Sequence, residues 1–214
     1  MNIKKIASNT VQFIFNRLIE IIGISVSVIG ILLLLALITY SPSDPNFIFP
    51  EKTEIQNILG FQGSYISDLF FQSIGVISYL TSITFLMTGI NIFKTKNLFL
   101  IIENTFYSIF YCIFGSLFFN FFYKNTYELY INGNGGFVGQ YLNQAFFGDI
   151  LNIQIIISYY FLLFLIIIFF LISINFSPKG FWSNTKKLFN YVIKNKNKPY
   201  TDKSEVISEY IPQE

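Results

Sequence analysis

The chain has 214 residues, of which 53% are hydrophobic and only 12% are charged, whereas a soluble domain carries about a quarter charged residues. This composition excludes an ordinary soluble domain and predicts an integral membrane protein. The chain has no histidine and one cysteine, so it lacks the commonest general base and metal ligand and cannot form an internal disulfide.

The first apolar stretch predicts a transmembrane helix over about residues 18–40, after a short basic segment at 1–17. No charge interrupts residues 21–38, and about 20 apolar residues suffice to cross the hydrocarbon layer. Pro42 follows and cannot continue a helix. Three small residues share one face and predict close packing against another helix, although glycine and serine are also simply common in membrane helices: Gly23, Ser27 and Gly30.

The second apolar stretch predicts a helix over about residues 69–93, after a polar, mostly acidic loop at 41–68 that is too small for a folded domain. The helix contains no charge but many small and hydroxyl residues. Three of them are expected to share one face and to form a helix–helix contact: Gly75, Ser78 and Ser82.

The third and fourth helices are predicted over about residues 98–122 and 152–174. Small residues recur every fourth position in the third helix and predict another packing face: Ser108, Cys112 and Ser116. Between these helices, the loop at 123–151 contains a glycine–asparagine turn cluster. A short amphipathic helix is expected after that cluster, lying against the membrane surface or the bundle.

The remaining segment, residues 177–214, is polar and is predicted to be a basic cytoplasmic tail or the start of a linker. Its first half carries most of its positive charges: Lys179, Lys186, Lys187, Lys194, Lys196 and Lys198. Such a tail can fix the topology and contact anionic lipid, with each lysine worth about 1 kcal/mol. Contact with DNA phosphates is the alternative, and lysine density does not separate the two.

The placement of positive charge predicts the orientation. Twelve of the fourteen Lys and Arg residues fall in the two termini and the connection between helices two and three, and the two long loops hold the other two. Cytoplasmic segments carry the excess of Lys and Arg. The sequence therefore predicts an all-α, four-span membrane protein with both termini cytoplasmic and the acidic loops outside.

Two carboxylates, Glu20 and Glu103, lie near the predicted spans, and ionisable groups at membrane depth are functional candidates. Both fall within about two turns of a cytoplasmic helix end, which favours an interfacial structural role over proton or ion coupling. The sequence contains no Gly-x-Ser-x-Gly motif of serine hydrolases and no HExxH motif of metalloproteases. It also contains no phosphate-binding P-loop. We therefore predict no catalytic, cofactor-binding or metal-binding residue, and no ATP hydrolysis by these residues alone.

The assembled pattern resembles the N-terminal four-helix membrane domain of the FtsK/SpoIIIE family of DNA translocases. The first helix ends in TYSPSDP (39–45), and an asparagine–glycine run, NILGFQG (57–63), precedes the second. The second long loop carries GGFVGQYL (135–142) before helix four. The order and spacing of these motifs across four spans, rather than any single motif, carry the resemblance over about residues 18–182.

The resemblance implies a multi-pass protein of the bacterial inner membrane, at the division septum, that links cell division to chromosome segregation. It implies contacts with the lipid bilayer and with divisome membrane proteins, and association with further copies of the chain. ATP, Mg²⁺ and DNA are implied only for a motor domain that would lie downstream. The alternative function is a small membrane transporter or channel subunit, in which neutralising Glu20 or Glu103 would abolish transport.

Overall fold

A computed structural model of the protein describes residues 3–45, 54–124 and 132–180, together with Trp182, Lys186 and Asn190. The described residues form helices and contain no strand. The helices are α1 (Ile3–Ile38), α2 (Gly60–Ile74), α3 (Ser78–Thr95), α4 (Phe99–Phe122), α5 (Gly136–Leu142), α6 (Gly148–Ile153) and α7 (Ile155–Ser173). A 3₁₀ turn, Gly75–Ile77, joins α2 to α3, and a π-helical turn, Asn143–Phe147, joins α5 to α6.

Four segments are long and apolar enough to cross a membrane: Asn9–Ile38, Gly60–Thr95, Phe99–Phe122 and Ile155–Ser173. These spans confirm the predicted all-α fold with four transmembrane helices. The third begins within one residue of its predicted position. The fourth begins three residues later than predicted, because Gln154 has extended dihedral angles (φ −141°, ψ 73°) that separate α6 from α7.

The first helix is much longer than predicted, because it begins at Ile3 and not near Leu18. At 1.5 Å per residue, its 36 residues extend about 54 Å, well beyond the hydrocarbon thickness of about 30 Å. The prediction located the start of the apolar stretch, which marks entry into the membrane. Neither proline nor glycine occurs between Ile3 and Gly23, so the helix continues outside the apolar stretch.

The second predicted helix is in fact two helices. It begins at Gly60, nine residues earlier than expected, so the last nine residues of the predicted polar loop are helical. It is then interrupted at Gly75, whose φ of 69° is left-handed and incompatible with a continuous helix. The expectation of one helix over 69–93 was wrong, because uniform hydropathy conceals a break made by a single glycine.

The bundle is built from two helix pairs. Helix α1 packs chiefly against α3, and α4 packs chiefly against α7. A larger apolar core surrounds Tyr111 and Phe118 of α4, whereas a smaller one joins Leu37 of α1 to Phe71 of α2. We call the end of the bundle where α1 finishes and α3 starts the α2 end, since α2 and α5 also pack there.

The chain divides into two compact units, residues 1–175 and 176–214. The first unit contains all the elements above. In the second unit, residues 178–180 are helical, and the side chains of Lys179 and Lys186 are exposed.

Candidate helix-packing contacts and membrane-edge charges

The three small residues of α1 face α3. A Cβ atom built on Gly23 would lie 2.9 Å from the carbonyl oxygen of Gly89, and one on Gly30 would lie 2.9 Å from the Cα atom of Leu86. The Oγ atom of Ser27 donates a hydrogen bond of 3.2 Å to the carbonyl oxygen of Leu86. The two backbones thus approach where no side chain separates them, which is how helices associate in lipid.

On α3, Ser82 and Gly89 complete this contact. Ser82 is fully buried, and its carbonyl oxygen lies 3.0 Å from a Cβ atom built on Gly30. Its hydroxyl group donates to the carbonyl oxygen of Tyr79 at 2.7 Å, so it buries no unpaired polar atom. Ser82 and Gly89 are seven residues apart and therefore share a helix face. That spacing is the signal by which Gly89 could have been found.

The sequence predicted that Gly75 would share a helix face with Ser78 and Ser82. Gly75 instead lies at the helix break. The backbone N–H of Val76 donates a hydrogen bond of 2.9 Å to the carbonyl oxygen of Asn134. A Cβ atom on Gly75 would overlap that same oxygen. Ser78, the first residue of α3, closes the break by donating 2.6 Å to the carbonyl oxygen of Gly75. The break is therefore the docking point of the second long loop.

Ser116 anchors the same junction from α4. It is fully buried, and its Oγ atom donates a hydrogen bond of 2.9 Å to the carbonyl oxygen of Ile74. A Cβ atom on Gly135 or on Gly139 would overlap the carbonyl oxygen of Ser116. The spaced glycines of the loop thus allow its backbone to lie directly on α4.

Ser108 and Cys112, the other members of the predicted row on α4, are half-buried. The Sγ atom of Cys112 lies 3.4 Å from Oγ1 of Thr81 on α3. Ser108 donates 2.7 Å to the carbonyl oxygen of Thr105 in its own helix, and it lines a cavity of about 90 Å³ between the helices. Of the three residues in this row, only Ser116, which lies nearest the α2 end, is fully buried.

The two candidate carboxylates occupy different surroundings. Glu20 forms an ion pair of 2.7 Å with Lys96 at the connection between α3 and α4, and a second pair with Arg17 in its own helix. Glu103 is half-buried on α4 and has no ion-pair partner among the residues that the structure describes. Within the same residues, no group of three or more His, Cys, Asp or Glu side chains could hold a metal ion.

The predicted basic tail lies mostly outside the described residues. Lys179 and Lys186 are exposed. The other candidates fall outside the described part of the chain: Lys187, Lys194, Lys196 and Lys198.

The exit of α1 contains a buried carboxylate that the sequence analysis did not single out. Asp44 is 3% exposed and accepts hydrogen bonds from the backbone N–H groups of Gln56 and Asn57, at 2.8 and 2.9 Å. The side chain of Asn57 in turn donates 2.9 Å to the carbonyl oxygen of Ala36, near the C-terminal end of α1. These bonds satisfy backbone N–H groups of the loop and a carbonyl group in the last turn of α1, which has no partner within the helix. Asp44 and Asn57 belong to two of the three motifs that carry the resemblance, and this was the signal available in the sequence.

A second unpredicted cluster fastens the end of α7 to α3 and α4. Asn175 has a left-handed φ of 51°, and its Oδ1 atom accepts a hydrogen bond of 3.0 Å from Asn104. Asn104 also donates 2.8 Å to Thr88. From α3, Asn91 donates 3.0 Å to the carbonyl oxygen of Ile174. Amide side chains inside an apolar helix are the sequence signal of such interhelical bonds.

The chain is similar in sequence to the membrane region of a known protein family. The model of the family described as the 4TM region of DNA translocase FtsK/SpoIIIE matches residues 16–186, which is most of the chain. The chain belongs to this family. The match covers the last three spans in full, the first span from residue 16 onward, and the exit motif around Asp44. The prediction of an FtsK-like membrane domain is confirmed.

Two curated relatives are named DNA translocase FtsK. The one from Azospirillum brasilense is 32% identical over 82 residues, which are 37% of this chain and 13% of the relative. The one from Caulobacter vibrioides is 37% identical over 65 residues, which are 30% of this chain and 8% of the relative. The chain thus matches a small part of much longer FtsK proteins. No solved structure matches it.

Within the FtsK family, the matched region is the membrane region and not the motor. It includes the α1–α3 contact at Gly23 and Gly30, and the loop junction at Gly75 and Ser116. The membrane region of this FtsK-family chain therefore contains every interhelical contact described above.

Proposed function

We propose that this chain is the membrane-anchoring and interaction module of an FtsK-like DNA translocase that acts in cell division and chromosome segregation. The observation that carries the proposal is the family match over residues 16–186, which covers three spans in full and the first span from residue 16 onward. The matched region is the membrane region. In this proposal the chain is not itself an enzyme, and ATP, Mg²⁺ and DNA are bound by a motor outside the matched residues.

The proposed orientation places both termini in the cytoplasm and the α2 end outside. It is supported by the twelve Lys and Arg residues on one side against two on the other. The ion pair between Glu20 and Lys96 lies at the opposite end from α2, where such charges are solvated by headgroups. In this orientation the tail, which includes Lys179 and Lys186, is cytoplasmic, where its lysines can contact anionic lipid or DNA phosphates.

The proposed partners are the lipid bilayer, membrane proteins of the divisome and further copies of the chain. The small-residue face of α1 is not available to partners, because α3 of the same chain packs against it at Gly23, Ser27 and Gly30. The exposed apolar surface of α1, on the other side of that helix, is the surface left for lipid and for partners.

Localisation in dividing cells tests this function. Residues 1–214, fused to a fluorescent protein at the cytoplasmic C-terminus, are expected to concentrate at the septum of a bacterium that contains an FtsK system. A fusion to an unrelated four-span protein is the control, expected around the whole envelope. Uniform distribution of both fusions would contradict the septal role while leaving family membership intact.

The alternative function, a small transporter or channel subunit, makes a different prediction. Transporters place discontinuous helices near the bilayer midplane. The break at Gly75 instead lies beside the end of α1, since Tyr79 donates to the carbonyl oxygen of Leu37. Replacing Glu20 or Glu103 with Gln is expected to leave septal localisation unchanged. A solute flux in vesicles that either replacement abolishes would favour the transporter.

A further inference from the structure

A groove of about 490 Å³ opens between α1 and α2. One wall is formed by residues 29–36 of α1, and the other by residues 59–70 along one face of α2. Phe85 of α3 also lines it, and Gln62 is its one polar lining side chain. Ordered water needs two to four polar partners, so this mostly apolar groove suits an apolar occupant better than water.

The burial pattern of α2 is the reverse of that of a helix in water. Its polar residues Ser64, Ser67 and Asp68 are buried, and each has a hydrogen-bond partner. Its apolar residues Phe61 and Leu69 are 52% and 53% exposed. A helix in water exposes its polar face and buries its apolar one. The exposed face of α2 therefore suits hydrocarbon, and α2 belongs in the bilayer leaflet at the α2 end.

The groove lies at membrane depth beneath α2. Residues 29–36 are part of the apolar span of α1 and lie on the α2 side of Glu20. At 1.5 Å per residue they extend about 10 Å, which is part of one leaflet. Near the exit of α1, Ser64 donates to the carbonyl oxygen of Pro45, and Asp68 accepts from Tyr40. These bonds hold α2 across the end of the groove.

This arrangement distinguishes an acyl chain from a partner helix. A transmembrane helix is about 10 Å wide and must cross the full bilayer. One that followed α1 through the groove would meet α2. An acyl chain is narrower and ends within one leaflet, so it fits beneath α2 without displacing it.

We propose that this groove is a lipid-binding site that holds one acyl chain of a phospholipid from the leaflet at the α2 end. The carboxamide of Gln62 is the lining group that can donate a hydrogen bond to the ester or phosphate oxygens of that lipid. In the proposed orientation this is the outer leaflet. The site does not depend on the translocase role, so a failure of septal localisation would leave it standing.

Retention of lipid through purification tests the site. The full chain is purified in mild detergent, and bound phospholipids are counted by native mass spectrometry. Wild type is expected to retain one phospholipid, and Ile66→Trp, which fills the groove, to retain about tenfold less because methylene contacts are lost. The matched control is Leu69→Trp, on the same helix but outside the groove, and it is expected to behave as wild type. Equal retention by both variants would overturn the proposal.

A second pair of variants keeps the test decisive if Ile66→Trp does not fold. Leu32→Trp fills the groove from α1, whereas Leu35→Trp adds the same bulk outside it. Loss of lipid is again expected only for the groove variant. Retention that is equal in this pair would contradict the site.

Two further measurements test a second chain as the occupant and the embedding of α2 in the bilayer. With Cys112 replaced by Ser, Leu32→Cys is expected to form no disulfide between copies in native membranes, and efficient dimer crosslinking would assign the groove to a second chain. With Trp182 replaced by Phe, Leu69→Trp is expected to be quenched by phospholipids brominated on their acyl chains. Absence of quenching would show that α2 lies in water and would overturn the embedding on which the site depends.

Discussion

Individual glycine and serine residues determine how closely the helices approach. Gly30 faces the backbone of Leu86 and Gly23 faces that of Gly89, so these two positions have no room for a side chain. In lipid, where apolar burial gives little association energy, such backbone contact is a main source of helix–helix stability. These positions should therefore be sensitive to added volume, whereas lipid-facing positions of α1 should not.

Gly30→Leu is expected to lower the free energy of unfolding by about 1–3 kcal/mol or more, because the new side chain would overpack the α1–α3 contact. Unfolding in mixed detergent micelles measures this change. Ser25→Leu adds a similar volume on the exposed face of the same helix and is expected to have little effect. Equal losses would show that α1 and α3 are not in close contact.

Asp44→Ala is expected to destabilise the protein by about 1–3 kcal/mol, since it leaves the amides of Gln56 and Asn57 without their buried acceptor. Glu54→Ala removes a carboxylate from an exposed position nearby and serves as the control. The same unfolding measurement applies. If the Asp44 variant were as stable as the Glu54 variant, the exit loop would not be held by this carboxylate.

At the scale of elements, the break between α2 and α3 directs the second span. It frees the amide of Val76 from the helix, and that amide pairs with the carbonyl oxygen of Asn134. The hydroxyl of Ser116 donates to the carbonyl oxygen of Ile74, the last residue of α2. The break therefore joins α2, α4 and the loop before α5 by backbone groups that a continuous helix would have used internally.

Gly75→Ala and Gly60→Ala form a matched pair. Both glycines have a positive φ, 69° and 68°, which disfavours alanine. The ψ of −148° at Gly75 also places that residue in a region that is essentially restricted to glycine. A Cβ atom at Gly60 meets nothing within 4 Å, whereas one at Gly75 overlaps the carbonyl oxygen of Asn134. Gly75→Ala is therefore expected to lower the free energy of unfolding further than Gly60→Ala. Equal losses would indicate that the loop does not dock on the break.

At the scale of the whole molecule, polar side chains connect the two helix pairs. Thr84 of α3 lies 2.9 Å from the hydroxyl of Tyr111 on α4 and 3.1 Å from that of Ser173 on α7. The asparagine cluster around Asn104 lies close to it along the bundle. These bonds cross between the α1–α3 and α4–α7 pairs, so the four spans form one unit and not two separable hairpins.

Accessibility labelling tests the orientation of this unit. With Cys112 replaced by Ser, single cysteines at the exposed positions Glu54 and Phe137 are expected to react with a membrane-impermeant maleimide in intact cells. Cysteines at Asn97 and Lys186, also exposed, are expected to react only after the membrane is permeabilised. The opposite pattern would reverse the proposed topology, which rests on the distribution of Lys and Arg.

The sequence alone determined that four spans exist and approximately where three of them lie. Hydrophobic length decides whether a segment crosses a bilayer, and that property is local. The small-residue face of α1 was visible for the same reason, because residues four and three positions apart share a helix face. The family could be identified from the exit and loop motifs alone, because these motifs are visible in the sequence without any tertiary contact.

Only the tertiary structure decided how these elements meet. Whether Gly75 continues a helix or breaks it depends on the loop at Asn134, which lies far away in sequence. The buried roles of Asp44 and Asn104 also depend on partners from distant parts of the chain. Likewise, the first nine residues of α2 were predicted as loop because they are polar, whereas in the structure the polar residues Ser64, Ser67 and Asp68 are buried. Pairing of buried polar groups is a property of the assembled fold, so no local pattern could supply it.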